Sequence, residues 1–157
     1  MKSTPRQVVS QCILVATALV ALGCDPGYRF RPATWIEQPE RQWSRDFDGF
    51  SLRTDYLHGF VGEWWLAPTF EVFGNSERVI LIAASLQTAG GRYPGVIHSR
   101  TASAASGGGM LGVHWDFGRD NPAPKVLGER AEIVLDLVVG SRPQKVRIEY
   151  ERASCCL

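Results

Sequence analysis

Apolar and polar residues alternate along several segments of the chain after residue 46. Phe50, Leu52 and Thr54 fall on one side of an extended segment, whereas Ser51 and Arg53 fall on the other. Successive side chains of a β-strand point to opposite faces of the sheet, so this period of two predicts a half-buried strand. We therefore expect this segment to lie on a hydrophobic core.

The clearest alternation lies near the C-terminus. Ile133 and Leu135 alternate with polar residues before a turn, and Val146 and Ile148 do so after it. The turn, at residues 140–143, has the sequence Gly-Ser-Arg-Pro. Two alternating runs around a Gly/Pro turn predict a β-hairpin. The polar residues of its second strand indicate a face that meets water.

Other segments also indicate short strands joined by turns. Residues 78–87 form a largely apolar run, which predicts a central strand covered on both faces, and residues 111–117 alternate again. Residues 101–109 and 118–125 are rich in small residues, Asn and Pro, and predict two loops. About seven to nine short strands without a helical period are typical of a small all-β domain, either an antiparallel two-sheet sandwich or a jelly roll.

The first residues follow a different pattern. Lys2 and Arg6 precede residues 8–22, which contain no charged side chain, and Gly23 ends this apolar stretch. A basic start, an apolar centre and a small residue at the end are typical of a secretory signal. The stretch is shorter than the roughly 20 residues that a helix needs to span a bilayer. The pattern therefore predicts a signal peptide at residues 1–23.

The end of this segment has the sequence Ala21-Leu22-Gly23-Cys24, which resembles the lipobox of bacterial lipoproteins. The resemblance implies cleavage before Cys24, whose sulfur and new amine would carry diacylglyceryl and an acyl chain such as palmitate. It also implies attachment to a membrane, with the domain on the cell membrane or outer envelope and facing the periplasm or the exterior. The small residues Ala21 and Gly23 equally fit ordinary signal cleavage, which would release the domain.

Prolines and charged residues recur through residues 24–46. Pro-rich segments are extended and semi-rigid, so we expect a tether here. Its aromatic residues, among them Trp35 and Trp43, are too many for a free linker, and we expect some to dock on the domain or on lipid headgroups. The domain itself is predicted at residues 47–152, followed by a short tail at residues 153–157.

Charge and cysteine content narrow the function further. The chain has 17 Lys and Arg residues against 16 Asp and Glu residues, and such a balance argues against nucleic acid as a partner. Cys155 and Cys156 are adjacent, and this pair alone lacks the further ligands of a metal site. Because no phosphate-binding loop or other cofactor motif occurs, we expect no cofactor.

Two groups of polar residues could carry chemistry. Asp55, His58 and Glu63 lie close together in sequence, and carboxylate and imidazole groups suit general acid–base catalysis when burial shifts their pKa values. His114 and Asp116 lie two residues apart on one predicted strand, so their side chains share a face about 6.6 Å apart.

A third ligand from another strand, His98 or His58, would complete a metal site with His114 and Asp116. Without such a ligand, the two residues form an ordinary polar strand face.

Aromatic residues indicate a binding surface instead. Trp64 and Trp65 are adjacent, so in a strand one indole faces the core and the other faces outward. An outward Trp could stack on a sugar ring or anchor a protein partner. The candidate binding residues are Tyr56, His58, Glu63, Trp64, Trp65 and Trp115.

These patterns together predict a membrane-anchored, non-enzymatic binding or scaffolding domain at the cell envelope. Its expected partner, besides the membrane, is another envelope protein or a glycan. A metal-assisted or acid–base hydrolase and a carbohydrate-binding module are the two alternatives.

Overall fold

The computed structural model describes residues 28–59 and 63–153, which form two antiparallel seven-stranded sheets packed around one core. The first sheet contains β1 (Tyr28–Pro32), β5 (Leu57–Gly59), β8 (Val79–Thr88), β9 (Gly91–Pro94), β11 (Thr101–Ala102), β13 (Arg130–Val139) and β14 (Arg142–Arg152). The second sheet contains β2 (Ile36–Glu37), β3 (Trp43–Phe47), β4 (Phe50–Thr54), β6 (Trp65–Leu66), β7 (Thr69–Phe73), β10 (Val96–Ser99) and β12 (Gly108–Asp116). The predicted all-β sandwich is confirmed.

The order of the strands places β8, β13 and β14 in the middle of the first sheet and β12, β7 and β4 in the middle of the second. The first sheet has the order β11-β8-β13-β14-β1-β5, and the second has the order β10-β12-β7-β4-β3-β2. The predicted C-terminal hairpin is confirmed as β13 and β14, in which Ile133 lies opposite Ile148. The inward residues of this hairpin are buried, as their alternation indicates.

One edge of the sandwich is closed by a segment that contributes to both sheets. β9 and β11 pair with β8 in the first sheet, while β10, which lies between them in sequence, pairs with β12 in the second. Backbone hydrogen bonds hold the two crossing points, from Gly95 N to Ala84 O at 2.8 Å and from Leu81 N to Arg100 O at 2.7 Å. The position of β10 beside β12 therefore depends on this crossover.

The core fills the space between the sheets. Phe30 and Ile133 of the first sheet and Trp115 of the second are almost inaccessible to solvent, and full burial of an Ile or Phe side chain contributes roughly 1.5–3 kcal/mol. The hydroxyl groups of Thr54 on β4 and Tyr150 on β14 lie 3.1 Å apart in this interior. This hydrogen bond joins the two sheets directly.

The prediction that residues 24–46 form a tether is wrong for residues 28–46. β1 pairs with both β14 and β5, and β3 pairs with β4. Tyr28, Phe30 and Trp43 are buried in the core. The aromatic residues of this segment thus fill the sandwich and outweigh the effect of its prolines.

The two predicted loops are partly ordered as regular structure. Residues 101–109 contain β11, a 3-10 turn at Ala104–Ser106 and the start of β12. Residues 118–125 lead into a five-residue helix, α1 (Ala123–Leu127). Pro124 is tolerated there because it lies in the first turn, where its missing N–H has no helical acceptor. A helix of this length is too short to produce a recognisable period in the sequence.

The predicted signal peptide, Cys24 and residues 154–157 of the tail lie outside the described residues. Within the described part of the chain, no helix has both the length and the hydropathy needed for a membrane span.

Candidate functional site

The outer surface around β12 collects several of the residues that stood apart in the sequence analysis. Leu111, Val113 and Trp115 point inward and are buried, so their neighbours on β12 point outward. The surface, called the β12 face below, consists of Trp65, Thr69, Glu71, Val96, His98, Met110, Gly112, His114 and Asp116. From Met110 to Asp116 it extends about 20 Å along the strand.

Strand pairing fixes which side chains of the β12 face are neighbours. Trp65 of β6 lies opposite Asp116, and Val96 of β10 lies opposite His114. On the β7 side, Met110 lies opposite Glu71. The exposed indole therefore stands beside a carboxylate at one end of β12, and an apolar side chain flanks the histidine on the neighbouring strand.

The β12 face exposes an unusual share of apolar side chains. The solvent-exposed fraction is 45% for Trp65, 56% for Val96 and 48% for Met110. Among the described residues, only Ile36 and Ile82 are further large apolar side chains with comparable exposure. Apolar groups gathered on one face, with Trp and Met among them, are typical of recognition surfaces.

Two histidines meet on the β12 face. The Nδ1 atoms of His98 and His114 lie 3.5 Å apart, and their rings stack with centroids 5.6 Å apart at an angle of 25°. An irregularity in the pairing of β10 with β12, between Ile97 and Ser99, brings His98 to this position. Gly112 leaves room for it, because a side-chain carbon there would collide with the His98 ring.

His114 and Asp116 share the outer side of β12, as the alternation predicts. Asp116 Oδ1 accepts a hydrogen bond from the backbone N–H of Gly118 at 2.8 Å, so this carboxylate orders the turn after β12. His98, one of the two candidate third ligands, is the residue that lies against His114. Within residues 28–59 and 63–153, no three His, Cys, Asp or Glu side chains lie close enough to hold a metal ion together.

The three candidate tryptophans have different environments. Trp65 is exposed on the β12 face, whereas Trp64 is half-buried with the Arg119 guanidinium 6.0 Å from its ring. Trp115 is 1% exposed, and its Nε1–H donates to the carbonyl of Tyr93 at 3.0 Å. The prediction that Trp115 contributes to a binding surface is therefore wrong, because its position on β12 faces the core.

The remaining candidates do not join the β12 face. Tyr56 is half-buried against Trp43, with the ring centroids 4.4 Å apart. His58 belongs to β5 in the first sheet, opposite Arg29, and the placement of its side chain is not described. The surface predicted from residues 55–65 is thus divided between the two sheets.

Glu63 lies just before β6, and its carbonyl accepts a hydrogen bond from Ala123 N at 2.6 Å. Burial, followed by the negative charge of Glu63, raises the pKa of Tyr28 from 10.0 to about 12. Glu63 therefore lies at the end of the sandwich where β1 begins. Its backbone contact with Ala123 connects this end to α1.

A concave region of about 500 Å³ lies on the first sheet and is lined partly by Gln87, Arg130, Glu132, Glu149 and Glu151. Two of its carboxylates are already paired with arginines, Glu132 with Arg147 at 2.9 Å and Glu151 with Arg31 at 3.0 Å. This pairing reduces the negative charge that could attract a cationic ligand. The region is therefore a weaker candidate than the β12 face.

The sequence named His98 and His58 equally as possible neighbours of His114, and only the crossover that places β10 beside β12 selects His98. The position of Trp65 next to Asp116 likewise depends on long-range pairing.

No known protein family matches this chain, and a comparison with curated proteins found none with a similar sequence.

Proposed function

We propose that this chain is a lipid-anchored, non-enzymatic domain of the cell envelope that binds a protein partner through the β12 face. The observation that supports it most directly is the exposure of Trp65, Val96 and Met110 along one outer surface. Burying such side chains against a partner removes apolar area from water, at roughly 25 cal/mol per Å². Trp and Met are also among the residues enriched at protein interfaces.

The composition of the β12 face favours a protein over a glycan. Trp65 offers a ring for stacking on a sugar, and Asp116 opposite it offers a hydrogen-bond acceptor. The other exposed apolar side chains of the β12 face, Val96 and Met110, offer no hydrogen bonds to sugar hydroxyl groups. Trp115, which would widen an aromatic platform, is buried. A glycan partner is therefore one outcome of the experiment below rather than the proposal.

Binding also accounts better for the arrangement of the acid–base candidates. Asp55 is exposed after β4 of the second sheet, whereas His58 lies on β5 of the first. A general acid and base must reach the same substrate within hydrogen-bond distance. These two positions belong to different sheets, whereas the outward side chains of β12 and its neighbouring strands lie on one continuous surface.

The start of β1 at Tyr28 has a consequence for anchoring. Only residues 25–27 separate Cys24 from β1 in the sequence. Tyr28 lies opposite Gly59 of β5, and Trp64, with the Arg119 guanidinium 6.0 Å from its ring, follows five residues later in the chain and so lies near the same end. Indole and guanidinium groups suit the headgroup layer. In the proposed arrangement this end faces the bilayer.

Site-specific photocrosslinking in the source cells tests the binding face. A photoreactive residue replaces Val96, and the matched control carries it at Ile82 on β8, where the native side chain is 52% exposed. We expect a discrete adduct from position 96 that position 82 does not give, and its loss when Trp65→Ala is added. A protease-sensitive adduct supports a protein partner, whereas an adduct removed only by glycan hydrolases supports the carbohydrate alternative. Equal labelling from both positions would contradict the proposal.

Labelled fatty acid tests the anchor separately. We expect incorporation into the unaltered chain and none into Cys24→Ser. Equal labelling of the two proteins would remove the lipoprotein interpretation without affecting the binding face.

A further inference from the structure

The strongest unassigned feature of the β12 face is the histidine pair. We propose that His98 and His114 together bind a divalent transition-metal cation, with Zn²⁺ as the ion that their geometry fits best. The proposal goes beyond the binding function above and does not depend on a partner. Each imidazole would contribute Nδ1, and water or a carboxylate from a bound molecule would complete the coordination.

The spacing of the two nitrogens supports this assignment. Zinc–nitrogen bonds are about 2.0–2.1 Å long in tetrahedral sites, so two nitrogen ligands on one zinc ion lie about 3.3 Å apart. The two Nδ1 atoms lie 3.5 Å apart. The separation of the two nitrogens is therefore close to that of two ligands of one zinc ion.

The pairing of β10 with β12 places the two histidines side by side. His114 is half-buried on β12, at the centre of the β12 face. His98 reaches it through the irregular pairing between β10 and β12, and its ring lies over Gly112. A site that is already formed loses less conformational entropy on binding than two free side chains do.

The surroundings are compatible with a cation. Neither histidine forms an ion pair in the described part of the chain, and the residue opposite His114 is the uncharged Val96. Asp116 stands on the same side of β12, one step further along the strand. With two protein ligands the ion keeps open positions, and imidazole is a ligand that zinc, copper and nickel all accept.

The chain contains three histidines, which provides a matched control. His58 lies on β5 of the other sheet. The thiols of the chain would compete for zinc, so the test uses the full chain with all four cysteines replaced by serine; none of them lies among the described residues. The probe is Zn²⁺ alone, followed by isothermal calorimetry and by NMR of the histidine rings.

We expect one zinc ion per chain, with the ring signals of His98 and His114 shifting together and those of His58 unchanged. His98→Gln and His114→Gln should each lower the affinity about tenfold or more, whereas His58→Gln should leave it unaltered. The proposal is overturned if the parent protein binds no zinc, if both variants retain its affinity, or if the His58 signals move instead. The ring shifts of the parent protein decide the question even if a variant folds poorly.

Discussion

The outer faces of the two sheets are built differently. On the first sheet, charged residues on neighbouring strands pair across β13, β14 and β1, as in Lys145 with Asp136 at 3.2 Å and Arg31 with Glu151 at 3.0 Å. On the second sheet, no described residue of β12 takes part in an ion pair, and Trp65 is among its exposed neighbours. The two faces enclose the same core but present different chemistry to water.

This difference separates a sheet face that ion pairs keep hydrated from the face that the proposed binding function would use. Exposed ion pairs contribute little to stability, about 0–1 kcal/mol each, but they keep a sheet face hydrated. The β12 face instead exposes Trp65, Val96 and Met110 beside two neighbouring imidazoles, and its one ion pair among the described residues joins Glu71 to Arg53 at 3.0 Å. Substitutions that compare the inner and outer sides of both sheets can test this contrast.

The largest loss of stability is expected from Trp115→Ala on the inner side of β12. Truncating a buried Trp costs about 3–5 kcal/mol, because a cavity replaces its contacts and the carbonyl of Tyr93 loses its donor. Met110→Ala, on the outer side of the same strand, should change the free energy of unfolding by about 0.5 kcal/mol or less. Urea denaturation of both variants measures the difference. Similar midpoints for the two variants would contradict this assignment of the inner and outer sides of β12.

A comparable effect is expected on the first sheet. Leu135 is fully buried on β13, and Leu135→Ala should lower the free energy of unfolding by about 2–5 kcal/mol. Arg147 on β14 pairs with Glu132 at the surface, so Arg147→Ala should cost about 0.5 kcal/mol or less. If the two variants unfolded at the same denaturant concentration, the assignment of faces in the hairpin would be wrong.

A smaller loss of stability is expected from removing the hydrogen bond that joins the two sheets. Tyr150→Phe removes the hydrogen bond to Thr54 and should cost about 1 kcal/mol at neutral pH. Burial is the main cause that raises the pKa of Tyr150 above its usual value of 10.0; the nearby charge of Asp55 adds to it, and the bond to Thr54 opposes it.

The raised pKa of Tyr150 also predicts how stability depends on pH. The folded state keeps this phenol protonated while the unfolded state ionises, so stability falls as the pH rises above about 10. Chemical denaturation measures the free energy of unfolding at neutral and at alkaline pH. Between these two conditions, Tyr150→Phe should lose less of this free energy than the parent chain does. An identical slope for both proteins would contradict this account. In Tyr150→Phe, stability should still fall at alkaline pH, because the pKa of Tyr28 is also raised, to about 12.

The smallest effect is expected from the ion pairs of the first sheet. Asp136→Asn should cost less than about 1 kcal/mol, and the cost should shrink at high ionic strength because salt screens exposed charges. Met110→Ser on the β12 face should show no such dependence on salt. Thermal unfolding at low and high salt makes this comparison, and an equal response of both variants would remove the electrostatic distinction between the faces.

The predictability of the candidate site varies from residue to residue. Trp65 and His114 could be selected from the sequence, since an aromatic doublet and an alternating strand are local patterns. The prediction failed for Trp115, because the alternation that places His114 outward necessarily turns Trp115 inward. It also joined Tyr56, His58 and Glu63 into one surface, although neighbours in sequence diverge when the chain passes from one sheet to the other.

The sequence by itself determined that the domain is an all-β sandwich, that β13 and β14 form a hairpin, and which residues of these strands face the core. These properties follow from a period of two and from turn residues, which act over a few positions. Only the tertiary structure decided that β1 to β3 belong to the sandwich and that His98 meets His114 over Gly112. Such neighbours depend on which strands pair, and pairing is chosen by the packing of the whole core, to which segments far apart in the chain contribute together.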